Sequence, residues 1–172
     1  MKRLILLRHA KAAPKDAAED FDRVLAPTGR SEMAPIARRL GAEDLRPDIA
    51  LVSPSARTRE TWNLAQGSLR DVAVSFDDRI YEAPAEQLLA VLREADGVVA
   101  DGPAERVVLV GHNPGISEFA HVLAGTGEGL DRLLRGMPTA ALAVIDFDAE
   151  AWREIRPGEG RLADFVTPAT AR

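Results

Sequence analysis

Arg8 and His9, Arg57, and His112 are the residues of this chain whose types and placement can do chemistry. Each follows a short aliphatic run. Leu4-Leu7 leads into Arg8-His9, Ile49-Val52 leads through Ser53-Pro54 to Arg57, and Val107-Val110 leads through Gly111 to His112. In open α/β sheets, ligands bind outside the carboxyl ends of the strands. Three such endings are therefore expected to converge, with two arginines and two histidines lining one crevice. Guanidinium forks match phosphate oxygens bidentately, so phosphate is the natural anion for such a place. A neutral imidazole beside Arg8 has its proton affinity lowered by the neighbouring cations, which keeps one ring nitrogen available as a nucleophile at neutral pH. One histidine can then attack phosphorus while the other and both arginines neutralise charge on the equatorial oxygens. Chemistry of this kind requires no metal, and no cofactor is expected.

The elements that must position these residues read in βαβα order, a sheet covered by helices on both faces. Leu4-Leu7 is continuously apolar, as a strand buried on both faces should be. Ala10 to Pro27 reads as a loop. Met33, Ile36, Ala37 and Leu40 fall at helical spacing, with Thr28 expected to cap the start and Gly41 the end. After the strand Ile49-Val52, Ser53-Pro54 reads as an N-cap followed by proline at the first helical position, opening a helix from about Ser55 to Gln66. Val72-Phe76 is expected as an edge strand, and "AEQLLAVLREA" as a helix with Leu88, Leu89, Leu92 and Ala95 inward. Val107-Val110 is another strand, and a helix beginning near Gly115 buries Ile116, Phe119, Ala120 and Leu123. The segment Thr139–Arg156 is expected to form a hairpin around a tight turn near Asp148-Glu150. "LAGTGEGLDR" reads as a loop, and the tail after Gly160 as partly irregular.

Composition narrows the class. A chain of 172 residues fits one domain, 46% hydrophobic and 28% charged residues are ordinary globular values, and no apolar run approaches a membrane span. Four apolar residues after Lys2-Arg3 make no signal peptide, so a cytoplasmic protein is expected. Cysteine is absent, which removes disulfides and thiolate chemistry. A formal net charge of -5 argues against nucleic-acid binding.

With "LLRHAKA", "SPSARTRET" and "VLVGHNPGIS" taken in order, the chain resembles the histidine phosphatase superfamily, which includes the cofactor-dependent phosphoglycerate mutases. Through "RHA", "RVLAPTG", "GHNPG" and "MPTAALAVI" it is most similar to the small phosphohistidine phosphatases of the SixA type, over nearly the whole chain. The resemblance implies His9 as a nucleophile that forms a phosphohistidine intermediate, and Arg8, Arg57 and His112 as ligands of the phosphoryl group. It also implies a three-layer α/β/α sandwich in which one strand runs antiparallel to the rest.

Ester-cleaving members carry a glutamate that protonates the leaving oxygen, and Glu82 in "RIYEAPAE" stands near that place in a different surrounding motif. Asp20 and Asp22 are the other carboxylates able to reach the pocket mouth, although loop solvation is the better reading of both. An alkoxide needs a proton to leave, whereas an imidazole whose distal nitrogen is already protonated leaves neutral. The stretch between Phe76 and Val107 is too short for a capping subdomain. The expectation is a phosphatase acting on phosphohistidine in a phosphorelay protein such as a histidine phosphotransfer domain. The alternatives are a small phosphate ester substrate, and a phosphoprotein-binding module with little turnover. Four further residues take bland readings: His121 faces solvent, Arg59 is a surface charge, and Asp146 and Asp148 are hairpin charges.

Overall fold

The computed structural model describes residues 1–67, 69–99 and 101–171. Its centre is the aliphatic run itself, strand β1 (Lys2–Arg8). β1 pairs in parallel with β4 (Arg106–Gly111) on one side and antiparallel with β6 (Leu142–Phe147) on the other. Side chains alternate across the sheet, so Leu4 and Leu6 enter one apolar core while Ile5 and Leu7 enter the other. That explains why the run carries no polar residue between Arg3 and Arg8.

With β2 (Ile49–Val52), β3 (Ala73–Phe76), β5 (Ala124–Gly127) and β7 (Gly160–Val166), the sheet has seven strands in the order β3-β2-β4-β1-β6-β7-β5. β7 is antiparallel to β6 and parallel to β5, so among the described residues β6 alone runs against the others. The helices α1 (Pro27–Leu40) and α2 (Ala56–Gln66) cover one face through Met33, Ile36, Leu40, Trp62 and Ala65. The opposite face is covered by α3 (Ala85–Arg93), α4 (Gly115–Leu123) and α5 (Leu130–Leu134). The expected three-layer α/β/α sandwich with one antiparallel strand is the observed fold. Among the described residues no helix is long and apolar enough to cross a membrane.

Several local expectations are corrected. The two strands anticipated within Thr139–Arg156 are not a tight hairpin. Only β6 lies there, and the chain runs through a short 3-10 turn at Trp152–Glu154 before its partner β7 begins at Gly160. Trp152 is fully buried and its indole N–H donates to the Ala104 carbonyl at 2.7 Å, which anchors the connection to the core. The tail after Gly160 is strand as far as Val166 and irregular beyond it, in part as expected. "LAGTGEGLDR" is not loop either, because pairing with β7 draws Ala124–Gly127 into the sheet edge. Thr28 does not cap α1: Ala26 is the cap residue and Pro27, with its fixed φ, takes the first turn. Asp146 is no surface hairpin charge, since it faces Arg3 in register and is buried under ion pairs with Arg3 and Arg161.

α1 also holds the segment that follows β1. The Ala26 N–H donates to the Lys11 carbonyl at 2.9 Å, and a Cβ at Gly29 would stand 2.1 Å from the same oxygen. Only glycine allows that approach. Gly29→Ala is expected to lower unfolding stability by about 1–3 kcal/mol, the ordinary cost of overpacking, read from the urea midpoint.

Candidate active site

The carboxyl end of β1 is clamped by its neighbours. The His9 N–H donates to Gly111 O and the His9 carbonyl accepts from the Ala140 N–H, both at 3.1 Å, so the residue hangs between β4 and the segment entering β6. The next N–H, from Ala10, donates to Thr61 Oγ1 at 3.0 Å, and that hydroxyl donates to the Arg57 carbonyl at 2.7 Å. His9 and Arg57 are thereby tied to one rigid frame.

The His9 side chain is 8% exposed, and its Nδ1 lies 2.7 Å from the Ala10 carbonyl. A carbonyl can only accept, so Nδ1 carries the proton and Nε2 keeps its lone pair. Burial pushes the His9 pKa down to about 4, and the neighbouring Arg57 and Arg8 push it the same way. At neutral pH the ring is an uncharged imidazole with a free Nε2.

His112 faces it, with ring centroids 5.3 Å apart, and is 7% exposed. Burial, then the proximity of His9 and Arg57, lowers its pKa to about 3. Its Nε2 lies 2.7 Å from Ser53 Oγ, while its Nδ1 is buried without a partner. A serine hydroxyl donating to Nε2 puts the ring proton on Nδ1, the nitrogen left open to a ligand. Ser53 is thus no helix cap. Its own N–H still donates to Val110 O, continuing the sheet, and α2 starts three residues later, behind Ser55.

The arginines complete the group. Arg57 is 5% exposed, and Arg8 is half-buried and donates from Nη1 to the Met137 carbonyl at 2.9 Å. The Nε atoms of both are buried without partners. Buried donors are rarely left unsatisfied in folded proteins, so three orphaned nitrogens on Arg8, Arg57 and His112 suit an anion.

Asp20, expected as loop solvation, instead sits on Arg57. The Arg57 Nη1 donates to Asp20 O at 2.6 Å and Nη2 to Asp20 Oδ2 at 3.1 Å. Tyr81 donates its hydroxyl to the same carboxylate, and Arg23 adds a bond at 2.9 Å. These donors, Tyr81 foremost, hold the Asp20 carboxyl well below the usual carboxylate range. Burial, then Asp20, pushes the Tyr81 phenol up to about 12. The Tyr81 ring stands edge-on to both His112 and the exposed Phe21. Asp22 is exposed and joins no side-chain hydrogen bond among the described residues. Glu82 does reach the site's flank, lining a cavity of about 420 Å³ beside His112. His121 does not point into solvent, because α5 covers it and the Leu133 carbonyl lies 2.9 Å from its Nε2.

Sequence reasoning named Ser53 and Thr61 as parts of "SPSARTRET", missed what they bond, and overlooked Tyr81 and a polar ring around Met137. In that ring Asn113 Nδ2 donates to Met137 O, the Met137 N–H donates to Ser117 Oγ, and Ser117 donates to Asn113 Oδ1. A signal was available for the ring, since Asn113 and Ser117 stand four apart at the start of a helix.

A family model described as histidine phosphatase superfamily, branch 1, matches residues 4–88. A solved structure assigned as the phosphohistidine phosphatase SixA of Agrobacterium tumefaciens is 34% identical, covers 97% of this chain and 98% of its own, and has a TM-score of 0.77. This chain belongs to the histidine phosphatase superfamily. Within that superfamily it is SixA-like, and as a histidine phosphatase it works through a histidine nucleophile. An uncharacterized protein of Mycobacterium tuberculosis is 33% identical over 94% of this chain and 99% of its own length. The protein histidine phosphatase SixA complexed with tungstate, 21% identical, shares the histidine phosphatase fold with a TM-score of 0.75 over 99% of both chains.

In an NMR titration His9 is expected to stay neutral until pH approaches 4, well below an ordinary histidine. Arg57→Gln, by removing one of the cations that lower it, is expected to raise that value. Between about pH 4 and 6.5 the unfolded chain binds the proton that folded His9 refuses, so stability rises with pH across this window. Ser53→Ala removes the partner of His112 Nε2, and one neutral hydrogen bond corresponds to a loss of about 2- to 10-fold in kcat/KM.

Proposed function

We propose that this chain hydrolyses phosphohistidine in a cytoplasmic protein substrate, such as a histidine phosphotransfer domain of a phosphorelay, and that His9 is the residue that takes the phosphoryl group. The observation that carries the reading is the tautomer of His9. Nδ1–H is committed to the Ala10 carbonyl, and Nε2 is left as a lone-pair nucleophile in a cationic pocket. Arg8, Arg57 and His112 bind the phosphoryl oxygens. Nε2 attacks phosphorus, the bond from phosphorus to the substrate nitrogen breaks, and the electron pair stays on that nitrogen. A substrate imidazole protonated at its distal nitrogen departs neutral and takes up no proton. Water then attacks the phosphorylated His9, its proton passes to solvent, and inorganic phosphate leaves. Because Ala10 O accepts the Nδ1 proton throughout, His9 also departs neutral.

Access supports a macromolecular substrate. Between β3 and β4 the described residues build α3 and two short 3-10 turns, and none of them forms a subdomain over the pocket. The SixA assignment of the Agrobacterium tumefaciens relative agrees with this reading. One observation favours the second reading, a phosphatase of small phosphate esters: Glu82 lines the cavity beside His112, where an acid can serve an alkoxide.

The test compares a phosphorylated histidine phosphotransfer protein, a free phosphoramidate and sugar phosphates as substrates. His9→Ala should lose the covalent phosphoryl label and at least roughly 1,000-fold in turnover. Retained turnover overturns the assignment of His9. Glu82→Gln should leave phosphoramidate turnover within about 3-fold and lower ester turnover by about 100-fold or more. A wild-type preference for the sugar phosphates, crippled by Glu82→Gln, favours the ester reading.

A further inference from the structure

We propose that Asn113 and Ser117 are positioning residues for Arg8: through the main chain of Met137 they hold its guanidinium with the Nε and Nη2 edge turned to the phosphoryl group. The proposal rests on the reading of Arg8 as a phosphoryl ligand and is independent of which substrate delivers the group.

Arg8 stands at the rigid end of β1, but its side chain is long and carries much rotamer freedom. The strand fixes its Cα and leaves the guanidinium to be fixed by something else. That contact is Nη1 donating to the Met137 carbonyl at 2.9 Å, across 129 residues of sequence. The same oxygen accepts a second hydrogen bond at 3.0 Å, from Asn113 Nδ2. A carbonyl has two lone pairs, so both are taken. The Met137 N–H is held as well, by the buried Ser117 Oγ at 3.1 Å, and Ser117 donates its own proton to Asn113 Oδ1 at 2.6 Å. Removing either side chain opens this loop of bonds and leaves a polar atom of the other without its partner.

Asn113 and Ser117 can share the task because they stand one turn apart at the start of α4. Beyond Met137 the chain is bonded to the end of β1, the Arg8 N–H donating to Ala141 O and the Ala140 N–H to His9 O, both at 3.1 Å. The Met137 carbonyl is therefore fixed both to the strand that carries Arg8 and to the helix that follows His112.

The bond to Nη1 decides what the guanidinium has left to offer. Nε and Nη2 share the edge opposite Nη1; Nε is buried without a partner, and Nη2 makes no hydrogen bond among the described residues. Two parallel N–H groups on one edge form the fork that matches two phosphoryl oxygens. Arg57 is held differently, by both of its Nη atoms on the exposed loop residue Asp20.

The test is a double-mutant cycle read from the dissociation constant of inorganic phosphate and from kcat/KM on the best substrate of wild type. Ser117→Ala and Asn113→Ala should each weaken both by about 2- to 10-fold, the range of one hydrogen bond, and Arg8→Met by about 10-fold or more. In the Arg8→Met background the same two substitutions should cost less than about 2-fold, because no guanidinium is left to position. Ser117→Ala carries the test where Asn113→Ala fails to fold, since alanine suits a helix. In the phosphate-saturated protein the Arg8 Nε–H is expected to give a sharp nitrogen–proton NMR resonance that broadens in Ser117→Ala. Losses that persist undiminished in the Arg8→Met background, or no loss in either single variant, overturn the positioning role. Phosphate affinity unchanged in Arg8→Met overturns instead the reading of Arg8 as a phosphoryl ligand.

Discussion

Everything in the site depends on β1 being hydrogen-bonded along both edges and buried on both faces. A strand held by β4 and β6 and filled with Leu4, Ile5, Leu6 and Leu7 has no freedom to shift. Whatever stands at its end inherits that rigidity. The antiparallel strand β6 matters because it brings Ala140 to the His9 carbonyl from the side opposite Gly111. A side chain pinned by backbone on both sides has its direction set before any ligand arrives.

The same rigidity governs the electrostatics. Two guanidinium groups and two imidazoles sit close together, mostly out of water, and burial resolves the conflict by keeping the imidazoles neutral. Burial is the leading cause of both shifts, and Arg57 and Arg8 push each ring the same way. The enclosure that makes the site hard to charge thus also makes His9 a free base at neutral pH.

The central strands and the helices were legible because their patterns are local. Continuous aliphatic runs marked β1, β2 and β4, and the inward set Ile116, Phe119, Ala120 and Leu123 marked α4. Arg8, His9, Arg57 and His112 were legible as strand endings together with a family resemblance. What escaped was long-range. Ser53 followed by proline has the local chemistry of a cap, and nothing near it in sequence announces His112, 59 residues on, as its partner. Asp20 looked like solvated loop because its partners Arg57 and Tyr81 lie 37 and 61 residues away. β5 has glycine-rich composition and becomes a strand only because β7 pairs with it. The acidic cluster after β6 resembled a turn, but the chain needed a longer path around buried Trp152.

The contact between Asp20 and Arg57 bears on how the fold keeps a charged guanidinium inside it. A nearly buried guanidinium without a counterion is an expensive thing for a fold to carry, yet the pocket must be vacant between turnovers. The loop carboxylate gives Arg57 an internal counterion. On the proposed role of Arg57, phosphoryl binding is an exchange of one anion for another rather than the neutralisation of a bare cation. An exchange of this kind tempers affinity for inorganic phosphate, the anion that must depart at the end of each cycle.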